Sequence, residues 1–259
     1  MTTGGKLFDM QNYAIEGTAD FDVKDDYNEG TVKIYNLSAS TINSIKKGDD
    51  IVVNAGYDTD VGEILSGVVM STKTTWSEPD KVTEISCVDM PLRYMTTIIN
   101  RTYKAGTTSQ QVLEDLLRFG GVSVGALSLN RNIVYTRGLT LNGRLQNCIN
   151  KVAADSKTWV RLCAGAVYIQ NVAANLQIGF VLDSYHGLIG TPEKIEDTQS
   201  SDEVQGDYKI KALLNHNVRP GTGLVVKSKT LNGTVCVLRG TFSFSRTGDF
   251  TVDMEVKVV

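Results

Sequence analysis

Gly-Asp-Asp-Ile-Val-Val at 48–53, a polar turn at 57–62 and Ile-Leu-Ser-Gly-Val at 64–68 together predict a β-hairpin, because two apolar β-branched runs flank turn residues. The same pattern returns near the end of the chain. Its parts are Gly-Thr-Gly-Leu-Val-Val at 221–226, Asn-Gly at 232–233 and Val-Cys-Val-Leu-Arg-Gly-Thr-Phe at 235–242. Either the chain contains one β-unit twice, or two unrelated meanders share alternation and glycine turns.

Four glycines define the spacing of the two copies. Gly48 is as far from Gly221 as Gly67 is from Gly240, which predicts that the strands and the loop between them have kept their lengths. We interpret all four glycines as turn or close-packing positions. A third strand is expected to close each copy, at 82–87 and at 251–256. A true duplication would give each chain two similar faces.

Composition argues against several classes of protein. The 259 residues carry a net charge of -3, so the chain lacks the basic surface with which proteins neutralise the phosphates of duplex nucleic acid. No stretch reaches the ~18 apolar residues of a membrane span, and we expect a soluble chain in a cytosolic setting. Scattered single cysteines favour buried reduced thiols over a disulfide or a zinc site. They are Cys87, Cys148, Cys163 and Cys236.

The distribution of apolar residues divides the chain into three regions, and the expected fold class is mainly β with an α+β insertion. Residues 1–90 are β-rich, with alternating apolar positions over 13–23. Residues 91–178 form the insertion. Residues 179–259 return to β after an acidic polar stretch, 193–207, that we interpret as a loop.

Helical spacing indicates three helices. Ser40 can cap a short one in the first region. Thr108 and Gln111 predict a capping box for the second, which two glycines end. A third is expected from about Thr140 to Asp155, followed by a strand pair that turns at 164–165.

One string has a catalytic pattern. Gly-Val-Ser-Val-Gly at 121–125 matches the GxSxG of serine hydrolases, and Asp183 and His216 follow Ser123 in the required order. A nucleophile elbow needs a strand before the serine and a helix after it, whereas here the helix comes first. His186 and His216 are too far apart for a metal site of usual spacing.

A second alternative is a module that binds a ligand, such as a cell-wall glycan. Such a module would expose aromatic side chains on one face. The aromatic content is modest, and we assign core roles to Trp76 and Trp159.

A series of short motifs resembles one known family. Gly-Thr-Val-Lys-Ile-Tyr-Asn-Leu-Ser at 30–38, Ile-Lys-Lys-Gly-Asp at 45–49 and Ile-Leu-Ser-Gly-Val at 64–68 are similar to the opening domain of phage baseplate hub proteins, the late-control protein D group of contractile tails. The helix at 108–113 and Gly-Leu-Ile-Gly-Thr-Pro-Glu at 187–193 fit the same family's later domains. The resemblance covers nearly the whole chain, and its specificity lies in the order of the motifs.

The resemblance implies an architecture and a role. Two tube-like β-barrels, at 1–90 and 179–259, would flank the α+β domain at 91–178. Three chains would then place six barrels in a ring that adapts the hexameric tail tube to a trimeric central spike. It implies a structural protein with no catalysis and no cofactor.

The same resemblance implies partners and a location. Partners would be two further copies, the tail tube protein and the central spike, with a baseplate wedge or tape-measure protein as a further candidate, and genome DNA would pass without specific binding. We expect a virion component at the tail tip or baseplate, assembled in the host cytoplasm, with any membrane-piercing tip on another polypeptide. A contractile tail, a flexible tail and a bacteriocin-like particle all fit.

Candidate contact residues are placed in loops, since loops carry contacts that strands position. The three segments are the turn at 25–29, the turn at 57–62 and the acidic stretch at 193–207. The named candidates are Asp25, Asp26, Asn28, Tyr57, Asp58, Asp60, Glu193, Asp202 and Glu203.

Overall fold

The computed structural model describes residues 1–23, 27–77, 79–163, 165–171, 178–196 and 205–259. The protein is mainly β, with 53% of residues in strands and 14% in helices, as the sequence predicts. The helices are α1 (Ala39–Ser44), α2 (Leu92–Thr96), α3 (Ser109–Gly120) and α4 (Leu145–Asp155).

The described residues contain twenty strands. The first ten are β1 (Thr2–Thr3), β2 (Lys6–Leu7), β3 (Ile15–Asp22), β4 (Glu29–Tyr35), β5 (Asp50–Tyr57), β6 (Asp60–Ser77), β7 (Asp80–Val88), β8 (Ile98–Tyr103), β9 (Thr107–Thr108) and β10 (Ser123–Leu127). The others are β11 (Val134–Tyr135), β12 (Leu139–Arg144), β13 (Val160–Cys163), β14 (Ala166–Ile169), β15 (Ile178–Leu182), β16 (Leu188–Lys194), β17 (Tyr208–Leu213), β18 (Gly223–Lys227), β19 (Asn232–Ser245) and β20 (Phe250–Val258).

Two five-stranded units share one strand order. In the first unit, β3 to β7, the order across the sheet is β3-β4-β7-β6-β5, and in the second unit, β16 to β20, it is β16-β17-β20-β19-β18. Antiparallel pairing of β19 with β3 joins the units into a single sheet. The predicted duplication is therefore confirmed as a repeat of topology.

The predicted equality of the two hairpins is wrong. The Gly48 amide donates to the Val69 carbonyl (2.8 Å), and the Gly221 amide donates to the Val237 carbonyl (2.7 Å), so Val69 corresponds to Val237. The hairpin after Gly48 is longer because β5 has 8 residues and β18 has 5. Gly67 and Gly240 are therefore not equivalent residues, and the equal separation of the two glycine pairs is a coincidence.

Apolar residues form two cores. One contains buried residues of both units, including Ile34 and Phe242, which are fully buried. The other lies in the middle region, where α3 and α4 pack together and where Val68 and Val88 of the first unit also contribute. The domain boundaries at residues 90 and 178 stay a prediction.

The middle region shows where helix signals succeed and fail. The capping box at the start of α3 is confirmed, and Gly121 ends the helix in the left-handed region at φ 59°. α4 begins at Leu145 rather than near Thr140, because 139–144 pairs with β8 as a strand. α1 is capped by Ser38, whose side chain accepts from the Thr41 amide, and not by Ser40.

The expected strand pair after α4 is present, as β13 and β14 lie antiparallel. β10 adds to β14 in parallel and completes a three-stranded sheet. Within the described residues, no helix is both long enough and apolar enough to cross a membrane.

Candidate interaction surfaces

The turn between β5 and β6 contacts the second unit of its own chain. The Tyr57 hydroxyl donates to the Phe250 carbonyl (2.7 Å), and the two rings meet edge to face with centroids 5.1 Å apart. Asp60 Oδ1 lies 2.9 Å from His216 Nε2. Asp58, at φ 51°, makes the turn between them. These contacts attach the turn to the second unit of the same chain. Its role in contact with another protein stays a prediction.

The turn before β4 contributes a buried contact instead of an exposed one. Asn28 is 5% exposed, its side-chain amide donates to the Leu162 carbonyl (3.1 Å), and its main-chain carbonyl accepts from the Asp89 amide (2.8 Å). Asn28 therefore joins the first unit to the middle region. Four other sequence candidates, Asp25, Asp26, Asp202 and Glu203, lie outside the described residues.

Sequence reasoning missed the polar contacts where the middle region and the two units meet. The buried Asp89 carboxylate accepts from the Gly165 amide (2.9 Å). The Arg161 guanidinium donates to the Pro220 carbonyl, and the Arg219 guanidinium donates to the Glu63 carbonyl. The first two bonds tie the middle region to the first and second units, and the third ties the two units to each other. No motif marks them, since each is an isolated polar residue in an otherwise apolar or turn sequence.

Burial shapes the ionisation of this polar cluster. It raises the pKa of the Glu63 carboxyl, an effect that the nearby Arg219 opposes. It also lowers the pKa of the Arg161 guanidinium, which stacks on the Tyr168 ring at 4.9 Å. The cluster thus carries partly desolvated charge whose main contacts are backbone carbonyls.

The four glycines that define the spacing of the two copies lie where a side chain would strain the backbone or clash with it. Gly48 and Gly221 adopt φ 90° and φ 85°, which L-residues with a side chain rarely adopt. Gly67 and Gly240 lie inside strands, where an added Cβ would come within 1.7 Å of the Val88 carbonyl oxygen and 2.3 Å of the Asp253 carbonyl oxygen. The local geometry of each glycine fits a turn or a close-packing role.

The sheet face opposite the shared core is polar. Arg239 lies 3.2 Å from Glu255 and 3.8 Å from Asp22, and the Thr241 hydroxyl donates to Asp20 (2.6 Å). Glu193, a sequence candidate, is exposed on β16 and not in a loop. Lys211 also lies 3.8 Å from Asp253, so this face carries both basic and acidic side chains.

The hydrolase geometry is not assembled. Ser123 opens β10 directly after α3, so the helix precedes the serine. Asp183 Oδ1 lies 2.7 Å from His186 Nδ1, whereas His216 contacts Asp60. Over the residues the structure describes, no cluster of three or more His, Cys, Asp or Glu is placed to hold a metal ion.

The core role expected for Trp76 is wrong. Its side chain is 76% exposed, because β6 extends past the end of β5 and nothing described covers its last residues. The Lys81 ammonium lies 5.4 Å from the centre of the Trp76 ring. Trp159 is also partly exposed, at 43%.

Comparison of the whole chain with solved structures gives a consistent result. A tail protein from Neisseria meningitidis superposes with a TM-score of 0.64 at 11% identity, covering 95% of this chain and 96% of that one. A prophage MuSo2 tail protein from Shewanella oneidensis gives 0.68 at 11% identity, covering 98% and 94%. The chain has the fold of phage tail proteins.

A type VI secretion component from E. coli has the same fold. It superposes with a TM-score of 0.62 at 12% identity, covering 95% of this chain and 73% of that one. That protein is itself described as structurally similar to the T4 bacteriophage tail proteins gp27 and gp5. No family model and no curated protein matches the sequence.

Proposed function

We propose that this protein is a structural hub of a phage tail or related injection machine. Three copies form a ring of six similar units, which meets the hexameric tail tube on one side and a trimeric central spike on the other. The observation that carries the proposal is the repeated strand order of β3 to β7 and β16 to β20.

The repeat gives each chain the symmetry that this role requires. A part that joins a six-fold tube to a three-fold spike must present six similar surfaces and three distinct ones. Two like units in each of three chains supply the six, and one middle region in each chain supplies the three. Such an assembly is closed and cyclic.

The arrangement of the middle region supports the same proposal. It packs against one end of the first unit through Val68 and Val88 and is tied to the second unit through Arg161 and Pro220. It therefore has a fixed orientation relative to the sheet. We place it toward the spike and the two units toward the tube, with the polar sheet face along a channel that DNA crosses without specific binding.

This role is non-catalytic and belongs at the tail tip or baseplate of a particle. The remaining proposed partners are a baseplate wedge or tape-measure protein. Likeness of fold to tail proteins and to a secretion component supports the placement.

Light scattering over a wide concentration range tests the proposal. The expected native mass is three times 28.2 kDa, about 85 kDa. Mass that rises toward this value and then stays constant supports a closed trimer. A monomer at every concentration, or growth without limit, would contradict it.

A further inference from the structure

The repeat allows residues of one unit to be matched to residues of the other. Both units bend their fourth strand at the same place, with a register shift between Val69 and Ser71 of β6 and between Val237 and Arg239 of β19. Val69 pairs with Cys87, and Val237 pairs with Val256. Counting on from these pairs, Ser71–Ser77 of β6 corresponds to Arg239–Ser245 of β19.

β3 and β16 also correspond, as their pairing partners show. In the first unit Ala19 pairs with Gly30, and in the second unit Lys194 pairs with Tyr208. Gly30 and Tyr208 occupy equivalent places because each pairs with the matched residue of the last strand, Cys87 or Val256. Ala19 therefore corresponds to Lys194, and Thr18 corresponds to Glu193.

The matched segments differ in one respect. Arg239–Ser245 leaves β18 and pairs along its outer edge with β3. In β6, pairing with β5 ends at Val68, and the outer edge of Ser71–Ser77 faces no strand in the described part of the chain. β16 is likewise the last strand of the sheet, so its outer edge faces no described strand. Each chain thus has one filled strand junction and two strand edges, Ser71–Ser77 and β16, that face no strand among the described residues. Within the chain, the Pro192 carbonyl in the bulge of β16 accepts from the Thr230 hydroxyl (2.9 Å).

The side chains at the filled junction and at these two edges correspond as well. Phe244 is 3% exposed and lies on Gly17, where an added Cβ would come 2.7 Å from its ring. Trp76 takes the place of Phe244 in β6 and is 76% exposed. In β16 the place of Gly17 is taken by a bulge that includes Gly190, which has open space around it.

We propose that Ser71–Ser77 of one chain pairs antiparallel with β16 of the next chain, in the register that β19 and β3 use within the chain. This inference rests on the hub proposal and names its contact. Thr75 lies opposite Glu193, Thr74 lies opposite Lys194, and Trp76 covers the bulge at Gly190. Lys73 falls diagonal to Glu193, within reach of an ion pair.

A strand edge of a second copy is a favourable partner for each of these edges. An unpaired strand edge exposes amides and carbonyls that bind another edge, and a native protein covers it. The two edges are on opposite sides of the molecule's strand order, so the contact is head-to-tail, and copies close into a ring or grow as a fibre. The proposed hub symmetry selects the closed ring of three.

Cysteine cross-linking in the full chain tests the register. The double variant Thr75→Cys with Glu193→Cys places the thiols directly opposite each other across two copies, within the range of a disulfide. The matched control is Ser71→Cys with Glu193→Cys, which lies on the same face but about 13 Å out of register. The four native cysteines are buried and stay in place.

After mild oxidation, the first variant is expected to give covalent trimer on a non-reducing gel and the control to give monomer. Equal cross-linking in both variants, or none in either, in a sample whose native mass is trimeric would overturn the register while leaving the hub proposal intact. A native mass that is monomeric throughout would remove the hub proposal and this contact together.

Trp76 gives an independent test of the same contact. Trp76→Ala is expected to weaken the association constant by at least about tenfold, because large aromatic side chains dominate interfaces. Trp76→Phe, which restores the side chain found at the equivalent place in the second unit, should stay within about threefold of the unchanged protein. Equal association of all three proteins would contradict a role for Trp76 in the ring.

Discussion

Cys87 and Cys163 illustrate how burial, as the largest cause, shifts the pKa of single residues. Burial raises the pKa of the Cys87 thiol to about 12 and that of the Cys163 thiol to about 11. We expect neither thiol, nor the equally enclosed Cys148 and Cys236, to react with a maleimide at pH 8 in the folded protein. Four thiols should react in denaturant. Rapid labelling of any native cysteine without denaturant would contradict the structure.

Gly67 is a second residue whose role can be measured. Gly67→Ala forces a Cβ to within 1.7 Å of the Val88 carbonyl oxygen, so we expect the free energy of unfolding to fall by at least about 2 kcal/mol. Gly233→Ala is the control, since nothing lies within 4 Å of its added Cβ. It should change stability by less than about 0.5 kcal/mol. Urea titrations that find similar losses for both would disprove the close approach at Gly67.

At the scale of elements, the β5–β6 hairpin is fixed by its contacts with the second unit. Tyr57→Phe removes the hydroxyl that donates to the Phe250 carbonyl and is expected to cost about 1 kcal/mol of unfolding free energy. Tyr185→Phe, at a side chain that is 92% exposed, is the matched control and should be neutral. A neutral result for Tyr57→Phe would mean that the hairpin is not held by this bond.

Local signals in the sequence predict elements well when one period dominates. The alternation at 13–23 and the capping box at Thr108 each correspond to an observed element, β3 and α3. The start of α4 was misplaced because Leu141 and Leu145 fit a helical spacing, although Leu141 lies in a strand that pairs with β8. Pairing with a distant strand overrides local pattern, and nothing near Leu141 reports it.

The polar contacts and the junction between the units were beyond sequence reasoning for a related reason. Asn28 contacts Leu162, and β3 contacts β19, across more than half of the chain. No local pattern specifies such partners. The duplication itself was visible because each copy repeats a hairpin within about 20 residues, but its true register depends on hydrogen bonds of Gly48 and Gly221 that only the folded chain shows.

At the scale of the whole molecule, the repeat explains why the chain has two kinds of sheet edge. The edge of β3 is covered within the chain by β19, whereas the outer edges of β16 and of residues 71–77 of β6 face no strand in the described part of the chain. A monomer would therefore leave both of these edges without a strand partner. Trp76→Ala is expected to weaken ring formation and so to leave these edges uncovered. We expect this variant to aggregate or exchange strands, which light scattering would show as species of irregular mass.

The hub proposal requires that the two units of each chain form a ring of six from three copies. Averaged electron micrographs of the purified particle, viewed along the ring axis, show whether they do. We expect a closed ring with six lobes of alternating shape and three-fold symmetry. A particle with true six-fold symmetry, a ring with another number of lobes, or no ring at all would contradict it.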